Sequence, residues 1–280
     1  MFWTMSRVKG SIAIGPRGLS VTMGMMGFVN LAHGVFAMLG GYVMTGLMQR
    51  HGVPLPLALV AAAAAAALVS LPVERLLYRR LYGGGELDQV LLTMGLVFIS
   101  GPVAYYLRGP VQQPLELPPR LNGGLSFGFG SVPAYDALLI GIGAGLVTVL
   151  WLGLERSRFG ARIRAAVDNL HMAQAIGINT TRLFGLTFAL GSGLAGLGGG
   201  LGAALIPIVP GYALDNLVYF LIVVAIGGLS NIRGPFLAAI LVGVADSAGK
   251  YLVPQFGAFF TYALTMAILL WRPHGLFGRA

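Results

Sequence analysis

The 280-residue chain contains no cysteine, so disulfides, thiol catalysis and thiolate metal ligands are excluded. Charge is scarce too. Asp, Glu, Lys and Arg make up 10% of the residues, against about 25% in soluble domains. The only lysines are Lys9 and Lys250, and neither sits in a GxxxxGK[ST] loop, so that way of cradling nucleotide phosphates is missing. No cluster of His and carboxylates has metal-ligand spacing, so no metal site is expected. Gly191-Ser192-Gly193 is the one tempting nucleophile, but no histidine stands on a convincing neighbouring span, so no catalytic residues are expected.

What is present is grease: 56% hydrophobic residues, a mean hydropathy of +0.82 and several apolar runs near the length of a bilayer span. The net charge of +9 is concentrated in loops and suits membrane orientation rather than nucleic acid. The 43 glycines lie mostly inside apolar runs, where they permit close helix contact. Gly196 and Gly200, and Gly198 and Gly202, are each four apart in a span expected over about 183–206. The pattern predicts an all-α polytopic membrane protein of about eight transmembrane helices, with broken or short helices near 30–34 and 228–234.

Residues 1–17 form a poorly defined segment, and 18–280 a single transmembrane domain. Gly18 to Gln49 carries no formal charge and holds the sequence NLAHG, with Asn30 and His33. A helix break there is tolerated at membrane depth only against protein or a water-filled cavity. Asn30 and His33 are therefore candidates for the solute path, or for bonding backbone freed at the break. Gly227, Gly228 and Ser230 mark a second break, between segments read as 216–228 and 235–249, both short for a span. They are substrate-path candidates or parts of a plain turn, a choice sharpened by Arg233 nearby. Asp246 and Lys250, four apart, predict a local ion pair.

The polar stretch 155–182 holds Arg156, Arg158, Arg162, Arg164 and Arg182 and is too polar for hydrocarbon. With one crossing per span from Pro54 onward, Arg50, Arg108, Arg120 and Lys250 fall on one side. Arg75, Arg79, Arg80, those five arginines, Arg233, Arg272 and Arg279 fall on the other. The positive-inside rule makes the second side cytoplasmic, and the C-terminus with it. Within the loop, 163–176 lacks Pro and Gly and reads as one helix stopped by Gly177. Ala166, Leu170 and Ala173 would share one face. Such a helix suits either a groove on a partner or the bilayer's own headgroups.

The stretch AAVDNLHMAQAIGINTTR resembles the coupling loop of permeases in the branched-chain amino acid family of ATP-binding-cassette importers. Other matches are MGFVNLAHGVFAMLGGYV, ERLLYRRL, IGGLSNIRGPFLAAILVG and PHGLFGR, in the same order. The resemblance runs from Gly18 to the C-terminus. It implies a permease subunit in a bacterial cytoplasmic (inner) membrane, related to urea and amide permeases, that binds no cofactor itself. It also implies a homologous second permease subunit, two cytoplasmic ATPase subunits that use the ATP, and an extracytoplasmic binding protein. Beside the lipid bilayer these are the expected partners; no nucleic acid is expected. Arg164, Ala166, Asp168, Leu170, Ala173 and Gly177 become the residues expected to couple to the ATPase. Such permeases begin with a complete apolar span before NLAHG; here Pro16 and Arg17 interrupt it, so an altered or late-starting first helix is expected. The competing class is an ion- or proton-coupled transporter of a small neutral or zwitterionic solute, which needs acidic ligands at membrane depth; Asp246 is the weak candidate.

Overall fold

The computed structural model describes residues 30–81, 85–121, 123–127, 130–228, 233–252, 254–273 and 275–276. The segment expected to carry the first span lies outside them, as does Ser230.

Helix α1 (His33–His51) begins within the NLAHG stretch, at its histidine, and ends where Gly52 and Val53 donate back to Met48 and Leu47 carbonyls. Pro54 then precedes α2 (Leu55–Val73), where a proline near a helix start loses no helical bond. Its end widens into a π-turn, Glu74–Tyr78, before Arg79–Leu81. Helix α3 (Glu86–Arg108) leads to an irregular segment with a hairpin of β1 (Gly124–Phe127) and β2 (Gly130–Pro133). Gln113 and Ile208 exchange backbone bonds and tie the same segment to the turn after the glycine-rich span.

Helix α4 (Ala134–Glu155) ends at the polar loop, which folds as α5 (Arg158–Asp168) and α6 (Leu170–Ala175). Helix α7 (Thr180–Gly202) returns into the bundle. A short α8 (Tyr212–Asp215) precedes α9 (Leu217–Gly227), α10 (Arg233–Leu252) and α11 (Gly257–Trp271). Among the described residues, five helices are long and apolar enough to cross a membrane, and 212–227 and 259–271 are shorter apolar helices. With α1 these make eight apolar helices among the described residues, in line with a polytopic all-α membrane protein. The segment read as 235–249 is longer than expected: α10 has 20 residues. The short helix is α9, with 11.

Small residues hold α1, α2 and α7 together. A Cβ on Gly199 would stand 1.9 Å from the Ala37 carbonyl oxygen, and one on Gly196 would stand 2.4 Å from Ala66 Cβ. Backbones this close gain dense van der Waals contact where no hydrophobic effect separates helix from lipid. The contact stripe is Gly193, Gly196, Gly199 and Gly200, all buried. Gly198 meets open space, so the expected Gly198–Gly202 face is not part of it. Phe188 of α7 packs edge-on against Phe36, ring centroids 5.7 Å apart, and against Tyr78 at 4.7 Å.

A second unit is formed by α9, α10 and α11 around Ile222, Ile226, Ala238, Val242 and Ile268. Asp246 binds Lys250 at 2.5 Å and accepts from Thr261 of α11 at 3.4 Å. The expected local pair is present and also joins two helices.

Candidate functional site

Asn30 stands just before α1 and anchors its start. Its Oδ1 accepts from the Ala32 N–H at 3.0 Å and from the Tyr78 hydroxyl at 2.9 Å. Asn30 is 2% exposed. The side chain fastens the start of α1 to the π-turn of α2. His33 differs. Its Nδ1 lies 3.0 Å from the Asn30 carbonyl oxygen, and its side chain also reaches a cavity of about 860 Å³.

That cavity lies between the two helical units. Its walls come from α4 (Val149, Leu150), α7 (Leu190, Leu194), α9 (Val223) and α10 (Pro235). His33 and Ser157 are the polar side chains among its lining residues. The size falls in the usual range of small-molecule sites, about 300–1,000 Å³, and so does the mostly apolar wall with few polar groups. Such a space can accept a small apolar side chain without stranding buried charges.

Gly227 and Gly228 do not line this cavity. A Cβ on Gly227 would stand 2.5 Å from Pro235 N, so Gly227 lets α9 and α10 meet at the break. The Gly228 N–H donates to the Val224 carbonyl, and Leu276 N–H donates to Ile226. Leu276 thus meets the end of α9.

The polar elbow is folded by three side-chain caps. Ser157 accepts from Gly160 N–H, Asn169 from Met172 N–H and Asn179 from Arg182 N–H, each at 3.0 Å. Such caps satisfy backbone donors left over at helix starts. Asn169 therefore splits the expected 163–176 helix in two. The signal was present: Asn before an apolar run is a start signal, here overridden by the absence of Pro and Gly. Because of the split, Ala166, Leu170 and Ala173 do not share one helical face. Ala166 and Ala173 turn inward and pack with Leu154, Ile163 and Leu183. Leu170 stays partly exposed at 38%, while Met172 at 62% and Ile176 at 69% carry the outward apolar surface.

Arg164 turns back onto the end of α4. Its guanidinium donates to the carbonyls of Leu154 and Glu155 at the end of α4, where a cation also suits the negative helix end. Asp168 is exposed as the last residue of α5. Gly177 has φ +87° and completes a Schellman turn: its N–H donates to Gln174 and that of Ile178 to Ala173.

Sequence reasoning missed Glu74. It stands at the polar end of a span, yet it is 2% exposed. Its carboxylate lies against Gly185 of α7, where a Cβ would stand 3.4 Å from Oε2.

Residues 5–269 match the family described as the branched-chain amino acid transport system / permease component. The chain belongs to that family. It is 31% identical to the high-affinity branched-chain amino acid transport system permease protein BraD of Pseudomonas aeruginosa, over 94% of this chain and 90% of the relative. It is 27% identical to the corresponding LivH of Escherichia coli over 99% and 93%, respectively. A probable branched-chain amino acid transport permease, LivH of Methanocaldococcus jannaschii, is 29% identical over 93% and 86%. No solved structure matches the chain. Membership makes this permease component a transport protein rather than an enzyme, and agrees with the spans.

Proposed function

We propose that this chain is the membrane half of an ATP-driven importer for branched-chain or closely related amino acids. The observation that carries the reading is the match along 5–269 to a permease family. The apolar cavity between two helical units supports it. In this reading the solute passes between the units as they rock against each other. The apolar wall receives the aliphatic side chain, and His33 supplies one of the few polar contacts.

Two ATPase subunits dock on the cytoplasmic elbow, an extracytoplasmic binding protein delivers the amino acid, and a second permease subunit completes the pore. Support for ATPase docking comes from Leu170, Met172 and Ile176, apolar groups held outward on a capped, buried-backed turn. Support for a second subunit comes from α4, which buries only Tyr135 and Leu154. The arginine asymmetry supports a cytoplasmic elbow and C-terminus.

Against ion coupling stands Asp246, already engaged by Lys250 and Thr261. The test is uptake of labelled leucine into proteoliposomes holding the assembled importer. Uptake should require ATP inside and the binding protein outside. Uptake driven by a proton or sodium gradient with no ATP would overturn the reading.

A further inference from the structure

A second cavity, of about 620 Å³, lies where the end of α2 meets the start of α7. Arg75, Arg79 and Arg182 stand around it, with Asn179 and Thr181. Glu74 is the only carboxylate among its lining residues, and it is buried in the wall rather than held at the rim. Three guanidinium groups therefore act against one carboxylate. The start of the 23-residue α7 adds the positive end of a helix dipole. The π-turn at Glu74–Tyr78 leads directly into Arg79 and sets the end of α2 beside α7.

The polarity of the cavity is graded. Arg75, Arg79, Asn179, Thr181 and Arg182 belong to the polar ends of their helices. Leu71 and Leu186, one turn further into the spans, continue the same cavity, and Leu186 is exposed. A free phosphate uses only the first part. A phospholipid uses both, with its phosphate among the arginines and its chains along the leucines. Guanidinium forks match phosphate oxygens in geometry as well as charge. Basic pockets between helices on the cytoplasmic side are where acidic headgroups bind.

We infer that this cavity is a binding site for the phosphate headgroup of an acidic phospholipid, held by Arg75, Arg79 and Arg182 beside the first turn of α7. The inference goes beyond transport and uses only the proposed sidedness. Because α7 emerges from the elbow, a lipid here also braces the elbow's exit against α2.

The test is native mass spectrometry of the full chain, delipidated and then titrated with phosphatidylglycerol or phosphatidylcholine. Wild type should retain phosphatidylglycerol at least about tenfold better, with each arginine contributing roughly fivefold. R75Q/R79Q/R182Q should lose that preference. R156Q/R158Q/R162Q, which removes the same charge outside the cavity, should keep it. R75K/R79K/R182K preserves the charge and should keep most of it, which separates loss of binding from loss of fold. Equal loss in both glutamine triples would show diffuse attraction and overturn the site. Displacement of the lipid by millimolar inorganic phosphate or glycerophosphoglycerol would overturn the lipid assignment. A chain that transports normally in its importer but shows no lipid preference would sink this inference and leave the transport reading intact.

Discussion

The Asn30–Tyr78 hydrogen bond joins residues 48 positions apart and is buried. Removing Asn30 strands the Tyr78 hydroxyl and the Ala32 N–H, at about 1–3 kcal/mol, whereas removing the hydroxyl leaves Asn30 Oδ1 with the Ala32 N–H. Asn30→Ala and Tyr78→Phe should each lower the thermal stability of the purified chain. The double variant should cost less than the sum by about 1 kcal/mol. Strict additivity would show that the bond does not hold the break. Gly177 is a backbone case. Its Cβ position is open but its φ is +87°. Gly177→Asn should therefore keep ATP-coupled uptake near wild type, since Asn tolerates this region, whereas Gly177→Val should impair it through strain of about 1–3 kcal/mol. Equal impairment by both would mean that the site is sterically filled by a partner.

At the scale of elements, α6 has two faces with different work. Ala173 is 2% exposed and Met172 is 62% exposed. Ala173→Leu should overpack the elbow and cost about 1–3 kcal/mol, seen as a lower melting temperature. Met172→Asp with Ile176→Asp should leave melting unchanged but abolish co-purification with the ATPase subunits. Melting loss in the aspartate pair, or intact ATPase binding, would remove the outward face from the coupling role. The helix start at Asn169 and the end at Gly177 were readable from residue type. Which of Ala173 and Met172 faces inward was not, because a six-residue helix contains too little periodicity to choose a face. Only contacts with Leu154, Ile163 and Leu183 choose it.

For the whole molecule, the cavity between the α1–α2–α7 bundle and the α9–α11 unit is the expected path. Ala195→Trp would fill part of it. It should cut uptake at least about tenfold while leaving ATPase association intact; unchanged uptake would place the path elsewhere. The helix ends agree with the loop arginines on relative sidedness. Arg75, Arg79 and Arg182 line one cavity although more than a hundred residues separate the last two. A reporter fused after the last residue should be cytoplasmic; an external location would invert the assignment of every loop.

Hydropathy, loop arginines and ordered motifs were enough for membrane class, approximate span number and family, because each is a local or summed property of the chain. A bilayer also constrains span length strongly, which makes these signals readable without contacts. The tertiary structure alone decided that Asn30 bonds Tyr78 while His33 meets the cavity. It also decided that Gly227 packs on Pro235, that Arg164 caps α4, and that Glu74 is buried against Gly185. The reason is physical: burial and hydrogen-bond partnership come from elements distant in sequence. A polar residue in an apolar run looks the same whether its partner is a solute or a neighbouring helix.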